Sequence, residues 1–230
     1  MMASPKVKPV PEASLRRLPS YLHLLRRLHA GGRELVSCTH IAESLDLNPT
    51  QVRKDLAYTG IVGRPRIGYP IRALIASVEH FLGWDNTTDA FLVGAGSLGR
   101  ALLGYAGFQR YNLNIVAAFD VDPERIGTHW RGKPILDVDE LPDLAGRMHV
   151  HLGVLTVPAD AAQDAAHLLV LSGLKAIWNF TGVALEVPRE VLVEDVDLGA
   201  SLAVLSNRLA QRLRSAEEEE SERHVGGHGA

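Results

Sequence analysis

The sequence has only one cysteine, Cys38, and no long run of apolar residues. A single cysteine excludes a disulfide within the chain and a metal site built from cysteines. For Cys38 itself, we favour a role in packing over a role as an oxidation switch. No apolar run approaches the ~18–20 residues that cross a bilayer. Because residues 1–12 are proline-rich and polar rather than a signal peptide, we expect a cytoplasmic protein that binds neither a membrane nor a metal.

Length and charge predict two compact units, or one domain with an appendage, in which the first part is basic and the rest acidic. The chain has 230 residues, of which 46% are hydrophobic and 22% charged, as in globular proteins of one or two domains. Lys and Arg outnumber Asp and Glu by 12 to 6 over residues 1–83, whereas acidic residues lead by 21 to 12 over residues 84–230. This asymmetry is expected if only the first part approaches phosphates, the alternative being a basic face that is merely solvated.

Leucine periodicity predicts the first helix of the basic part. The leucines recur every three or four positions with arginines between them, and the pattern ends at Gly31-Gly32: Leu15, Leu18, Leu22, Leu25 and Leu28. A shorter helix is predicted to follow Ser37 and to stop near Asp46.

The third predicted helix has the clearest start signal in the chain. Asn48 is a capping residue, Pro49 suits the first helical position, and Gln51 stands where it would complete a capping box. Gly60 ends this helix. Its outward face carries polar, cationic and aromatic side chains, namely Gln51, Arg53, Lys54 and Tyr58. Two helices joined by a short turn, the second with such a face, are typical of a DNA-binding helix-turn-helix.

Residues 61–69 have apolar ends around a glycine-rich tip that contains Arg64 and Arg66, which predicts a β-wing. We therefore expect a winged-helix DNA-binding domain over residues 14–84, preceded by a disordered arm over residues 1–13. The alternative is a small helical cap with a basic loop.

A glycine-rich turn follows the apolar residues 90–93, which predict a buried strand. In this turn Gly94 permits the tight bend, Gly96 lets the backbone approach a pyrophosphate, and Gly99 allows close packing of helix on strand. The phosphates would lie at the helix N-terminus, where amides are unpaired. The predicted contacts come from the whole turn: Gly94, Ala95, Gly96, Ser97, Leu98 and Gly99.

A second apolar strand, residues 115–119, ends in Asp120, 21 residues past Gly99. An acid in this place is expected to bind the adenosine ribose hydroxyls and to repel the 2′-phosphate of NADP, so the sequence predicts an NAD-type ligand. Asp122 is the nearby alternative, and Val121 lies between the two acids.

Two more strands are predicted over residues 152–157 and 176–180, which extends the pattern to a Rossmann-like, doubly wound parallel sheet over residues 85–196. Ligands bind beyond the carboxyl ends of such strands. The predicted nicotinamide contacts are Thr156, Val157, Pro158, Asn179, Phe180 and Thr181. The alternative is that Thr156 and Asn179 only fasten loops.

Leucines at helical spacing predict a last amphipathic helix over residues 197–214: Leu198, Leu202, Leu205, Leu209 and Leu213. This apolar stripe needs a surface to cover it, either on its own domain or on a partner subunit. The acidic residues 215–230 are expected to form a disordered tail.

The ordered set of motifs resembles the Rex redox-sensing repressors over roughly residues 12–210. The motifs are Gln51-Val52-Arg53-Lys54-Asp55-Leu56, Ile67-Gly68-Tyr69, the glycine turn, Ala118-Phe119-Asp120-Val121-Asp122-Pro123, Leu155-Thr156-Val157-Pro158-Ala159, Ala161-Ala162-Gln163, Asn179-Phe180 and Val193-Glu194-Asp195-Val196-Asp197-Leu198.

The resemblance implies a homodimer in which the C-terminal helix crosses to the other subunit and brings Asp197 and Leu198 near the partner's nicotinamide pocket. It also implies an inverted-repeat operator, bound by the free or NAD+-loaded dimer and released when NADH closes the dimer. Tyr105 matches the family tyrosine that approaches the nicotinamide.

The sequence departs from the family pattern at a few positions. His23 replaces an arginine that pairs with the aspartate matched by Asp197, so this link would depend on histidine charge. Thr59 replaces a frequent aromatic, Arg64-Pro65-Arg66 replaces an arginine-glycine tip, and Thr181-Gly182 replaces an alanine-proline pair.

Two other functions fit parts of the sequence. One is an NAD-dependent oxidoreductase with an appended helical domain, although no His/Asp pair or Tyr-x-x-x-Lys arrangement stands out near the strand ends. The other is a nucleotide- or CoA-binding interaction module that does not bind DNA.

Overall fold

A computed structural model describes residues 10–226, with the side chains of Leu198 and of residues 216–226 left out of the description. The chain divides into two compact units. One is built from Met1–Thr88 and Gly107–Leu113, and the other from Asp89–Ala106 and Asn114–Ala230. The first nine residues of the predicted disordered arm and the last four of the predicted tail lie outside the described residues.

Helices dominate the first unit. They are α1 (Glu12–Ala30), α2 (Cys38–Leu45), α3 (Pro49–Tyr58) and α4 (Ile71–Phe81), and a small antiparallel sheet pairs β1 (Leu35–Val36) with β2 (Tyr69–Pro70). The buried leucines of α1, which exclude the exposed Leu15, pack with Ile41, Val52, Leu56 and Leu74 in one core. The predicted helix-turn-helix is therefore present as α2 and α3 on the support of α1 and α4.

Side-chain caps start both helices of this motif. Ser37 Oγ accepts a hydrogen bond from the backbone N–H of His40, and Asn48 Oδ1 accepts one from that of Thr50. Pro49 occupies the first turn of α3. The capping-box prediction for Gln51 is wrong, because its side-chain amide donates to Asp55 one turn further along the helix.

The β-wing is smaller than the one predicted over residues 61–69. A bridge between Arg64 and Gly68 closes a tight turn, and Tyr69 begins the strand that pairs with β1. Pro65 lacks a backbone donor and Arg66 adopts a left-handed φ of 64°, so neither residue extends a strand.

The second unit is built around a seven-stranded sheet within the described residues. Its strands are β3 (Thr88–Val93), β4 (Leu113–Asp120), β5 (His129–Trp130), β6 (Lys133–Asp137), β7 (Leu152–Leu155), β8 (Ala176–Asn179) and β9 (Leu192–Asp195). Their order across the sheet is β5-β6-β4-β3-β7-β8-β9. The pairs β4–β6, β3–β7, β7–β8 and β8–β9 are parallel, whereas β5 is antiparallel to β6. The predicted order of a helix-turn-helix unit followed by a Rossmann-like parallel sheet is confirmed, whereas the exchange of the C-terminal helix between subunits stays a prediction.

Helices α5 (Ser97–Leu103), α6 (Leu141–Met148) and α7 (Ala162–Leu171) accompany this sheet. Phe91 of β3 meets Phe119 of β4 edge to face, with ring centroids 5.0 Å apart, in the core beneath the glycine turn. The strand predicted over residues 152–157 ends at Leu155, because Thr156 and Pro158 belong to the turn that leads into α7.

The last helix, α8 (Leu198–Gly226), continues through residues that the sequence assigned to a disordered tail from Ser215. Glutamate, a strong helix former, accounts for five of the residues 215–226, so the helix does not end where the leucine stripe ends. Among residues 10–226, none of the helices combines the length and the apolar character of a membrane span.

Candidate nucleotide cleft and DNA-binding surface

The glycine turn joins β3 to α5 at the carboxyl end of the sheet. Gly94 has a φ of 97°, and a Cβ at this residue would lie 2.8 Å from the backbone nitrogen of Val157. A Cβ at Gly99 would lie 1.9 Å from the carbonyl oxygen of Gly94. Because these neighbours are backbone atoms that cannot swing aside, only glycine lets the turn, α5 and the loop after β7 approach this closely.

Asp120, the last residue of β4, holds the turn from the opposite side. Its Oδ2 accepts hydrogen bonds from the Ala95 backbone N–H at 2.6 Å and from Arg125 Nη1 at 3.1 Å. Its Oδ1 accepts from the backbone N–H groups of Val121 and Asp122, both at 2.9 Å. Burial raises the pKa of this carboxyl, but the hydrogen bonds from Asp122, Ala95 and Arg125 outweigh it and bring the pKa below its usual range.

Arg125 was not predicted from the sequence. Its guanidinium bridges two carboxylates, with Nη1 on Asp120 and Nε 3.1 Å from Asp122 Oδ2. The available signal was a cation three residues after Asp122, in a turn that directly follows a strand expected to bind ribose.

A cleft of ≈ 670 Å³ opens between the glycine turn, the end of β4 and the start of α7. This volume lies within the usual range of small-molecule sites, roughly 300–1,000 Å³. The predicted site residues that line it are Gly94, Gly96, Asp120, Val121, Asp122, Thr156, Val157 and Pro158. Lining residues that the sequence did not indicate include Val93, Phe119, Arg125, Val138, Asp164 and Leu168.

Other predicted contacts lie outside the lining of this cleft. The backbone N–H of Ala95 donates to Asp120, Gly99 packs on the turn, and Leu98 is 41% exposed. Ser97 is the first residue of α5.

Thr156 and Asn179 both hold loops in place, and their contact with a nucleotide stays a prediction. The hydroxyl of Thr156 donates a hydrogen bond to the carbonyl oxygen of Gly94 at 2.8 Å. Thr156 also lines the cleft. The buried Asn179 amide donates to the Val183 carbonyl and to Asp195, and its oxygen accepts from the backbone and hydroxyl of Thr181. Asn179 lines a smaller cleft of ≈ 270 Å³ with Asp197, whereas Phe180 packs on Trp178 at 4.9 Å.

The residues of the expected dimer switch are at accessible positions. Tyr105 is 58% exposed and His23 lies on the exposed side of α1. Asp197 Oδ1 accepts a hydrogen bond from the Ala200 backbone N–H and so caps α8, while the side chain of Leu198 lies outside the described residues. The pairing of His23 with Asp197 stays a prediction.

The cationic residues among the predicted DNA contacts lie on the first unit, whereas the side-chain amide of Gln51 donates to Asp55. Arg53 and Lys54 are exposed on α3, and Tyr58 is half-buried. Arg53, Arg64 and Arg66 line a shallow cleft of ≈ 360 Å³ whose lining contains no acidic residue. Such a surface suits phosphate oxygens and the acceptor groups of guanine.

Asp55 anchors α3 from its buried side, a role that the sequence did not reveal. Its carboxylate accepts from Arg17 Nε at 2.7 Å and Nη2 at 2.9 Å, from the Tyr21 hydroxyl at 2.7 Å and from Gln51 Nε2 at 2.8 Å. Burial raises the pKa of Asp55, but the hydrogen bonds from Arg17, Tyr21 and Gln51 outweigh it and lower the pKa. Because Arg17 and Tyr21 belong to α1, the network fixes α3 to α1.

Within the described part of the chain, no group of three or more His, Cys, Asp or Glu side chains is arranged to hold a metal ion.

Known proteins resemble the chain in both units. One family model, described as "Putative DNA-binding protein N-terminus", matches residues 9–57, and the model "CoA binding domain" matches residues 85–183. A redox-sensing transcriptional repressor Rex from Treponema denticola is 48% identical over 204 residues, which cover 89% of this chain and 96% of the relative.

Solved structures that are similar in fold point to the same family as the relatives found by sequence. The crystal structure of RSP in complex with beta-NAD+ and operator DNA matches with a TM-score of 0.83 and 34% identity, covering 97% of this chain and all of RSP. The complex of RSP with beta-NADH matches with a TM-score of 0.82 and 33% identity, covering 91% of this chain and 99% of RSP. These relatives are named as repressors rather than enzymes, and they are similar to this chain over most of its length. The chain therefore belongs to the Rex family of redox-sensing transcriptional repressors.

Proposed function

We propose that a homodimer of this chain binds inverted-repeat operator DNA through α3 and the 64–66 turn, and that NADH in the cleft between the glycine turn and Asp122 releases it. The single observation that carries this proposal is the occurrence, in one chain, of a cationic helix-turn-helix and a glycine-turn cleft of ≈ 670 Å³. The related RSP has been crystallised with NAD+ and operator DNA and with NADH, which supports both ligands. Action on a bacterial operator also implies a cytoplasmic location.

The two redox forms differ in charge, because oxidised nicotinamide is cationic and the reduced ring is neutral. An apolar environment near Tyr105 and the partner's Leu198 would disfavour the cation. A ligand shifts a conformational equilibrium only by its differential affinity for the two states. A hundredfold preference of NADH for the closed dimer corresponds to ~2.7 kcal/mol of coupling, within the usual range for allostery.

The C-terminal helix supports the dimer part of the proposal. Leu202, Leu205, Leu209 and Leu213 lie along α8 and are between 55% and 63% exposed in the single chain. Apolar side chains at this spacing form a continuous stripe, and such stripes mark surfaces that another element covers. In the proposed dimer, the partner subunit covers this stripe.

A mobility-shift assay on the DNA upstream of the chain's own gene tests the proposal. We expect the protein to retard this DNA alone and with NAD+, and NADH to release it. CoA at the same concentration should leave the complex intact, although one matching family model describes a CoA-binding domain. Release by CoA, or identical behaviour with NAD+ and NADH, would contradict the proposed redox function.

Lys54→Ala is expected to weaken operator binding by removing a phosphate contact of the exposed face of α3. The slope of log K against log salt should then become shallower by about one unit per subunit. Fluorescence anisotropy of labelled operator over a range of salt concentrations measures this slope. Lys175→Ala, the same change at an exposed lysine of the second unit, is the matched control and should leave the slope unchanged. Equal slopes for Lys54→Ala and the unmodified protein would exclude a phosphate contact of Lys54, and equal affinities as well would exclude Lys54 from the DNA interface.

A further inference from the structure

We propose that Asp122 and Arg125, rather than Asp120, determine the preference for NAD(H) over NADP(H). This inference rests on the proposed function, because it concerns the ribose end of the same cleft. It reassigns the ribose-facing role from the last residue of β4 to the turn that follows.

Asp120 has no accepting position left for a ribose hydroxyl. A carboxylate offers about four lone-pair sites, and the donors described above, three backbone N–H groups and the Arg125 guanidinium, occupy them. Its side chain is only 6% exposed. Asp120 therefore positions the glycine turn and the chain after β4, and a ribose contact there would require breaking one of these bonds.

Asp122 retains acceptor capacity and faces the cleft. Its Oδ1 accepts one hydrogen bond, from the Glu124 backbone N–H at 2.9 Å, and its Oδ2 pairs with Arg125 Nε. The side chains of Asp122 and Arg125 are 32% and 38% exposed, and both residues line the cleft. They lie just beyond the end of β4, where the adenosine ribose binds in dinucleotide folds.

The charges of this pair explain the expected selectivity. A 2′-phosphate would meet the Asp122 carboxylate, which repels it, while the Arg125 guanidinium is already neutralised by two carboxylates. Without the charge of Asp122, Arg125 would keep one carboxylate partner and turn a planar set of N–H donors toward the cleft. Guanidinium groups bind phosphates in this way.

Asp122→Asn tests the inference, because it removes the charge and keeps the oxygen that accepts from Glu124. Titration of the full-length protein with NADH and NADPH, followed by quenching of its tryptophan fluorescence, gives both affinities. We expect Asp122→Asn to strengthen NADPH binding at least about tenfold, equivalent to ~1.4 kcal/mol, while NADH affinity changes much less. The added mutation Arg125→Leu should abolish the NADPH gain.

Asp164→Asn is the matched control, because it removes an acidic charge from another wall of the same cleft. It should leave the ratio of NADPH to NADH affinity unchanged. An equal gain in Asp164→Asn, no gain in Asp122→Asn, or a gain that survives Arg125→Leu would each overturn the inference while leaving the proposed function intact. If the unmodified protein binds neither nucleotide, the proposed function fails and the inference fails with it.

Discussion

Gly96→Ala is expected to weaken NADH binding on the order of 100-fold, which corresponds to ~2.7 kcal/mol. Gly96 lines the cleft, and a Cβ at this residue would meet no protein atom within 4 Å. The added methyl group is therefore tolerated by the fold but occupies the space in which the backbone approaches the pyrophosphate. Operator DNA should bind as tightly as before, and its release should require correspondingly more NADH. Calorimetric titration with NADH measures the loss.

Gly146→Ala provides the matched control for Gly96→Ala. Gly146 lies on α6, outside the cleft lining, and its added Cβ also meets no atom within 4 Å. Alanine favours a helix over glycine by about 1 kcal/mol, so this variant should be as stable as the unmodified protein or slightly more stable. Equal NADH affinity in Gly96→Ala and Gly146→Ala would mean that the pyrophosphate does not approach the glycine turn.

Asp55→Ala is expected to destabilise the DNA-binding unit by about 3 kcal/mol, at the low end of the range for breaking a buried ion pair. The change leaves the fully buried Tyr21 hydroxyl without its acceptor, whereas Arg17, 26% exposed, can still reach water. For a chain of this size we expect the melting temperature to fall by about 6–12 °C. Operator affinity should fall as well, because α3 loses its anchor on α1. Circular dichroism and anisotropy measure the two effects.

The Asp55 contribution also has a defined pH dependence. Because the pKa of Asp55 is lowered in the folded state, its stabilisation is fully present above the ordinary carboxyl pKa and disappears as the pH falls through the lowered value. Glu12→Ala is the control, since the ion pair of Glu12 with Arg16 is 72% and 61% exposed and such pairs contribute little. A melting temperature in Asp55→Ala no lower than in Glu12→Ala would contradict the anchoring role.

The elements predicted correctly are those with strong local signals. Asn48-Pro49 starts α3 and residues 90–93 lie within β3, because a cap and a buried apolar run act locally. The antiparallel edge strand β5 and the adjacent β6 were missed, since Trp130 and Lys133 have no clear apolar alternation around them. Strand β9 was not predicted as a strand, and its residues were recognised only as part of a motif shared with the Rex family. They are mostly exposed at the edge of the sheet, so they lack the apolar pattern of a buried strand.

At the candidate site, the sequence predicted which residues lie at the cleft better than it predicted what their side chains contact. The spacing from Gly99 to the end of β4 located Asp120 at the cleft, but spacing cannot reveal how many donors surround a carboxylate. The same holds for Asp55, which stands between Lys54 and Leu56 and shows its partners only when α1 packs on α3. The contacts of Asp55 with Arg17 and Tyr21 are tertiary, as is the contact of Asp120 with Ala95. The other donors to Asp120 come from the turn after β4, whose conformation the sequence pattern did not define.

The central claim is that nucleotide binding and operator binding are coupled, and thermodynamic reciprocity tests it most directly. If NADH weakens operator affinity by a certain factor, operator DNA must weaken NADH affinity by the same factor. Calorimetric titration of NADH into the free protein and into the protein saturated with operator DNA, at one salt concentration, measures the second factor. We predict that NADH binds the DNA complex more weakly than the free protein, by the same factor by which NADH weakens operator affinity. Identical NADH affinity in the two titrations would contradict the account.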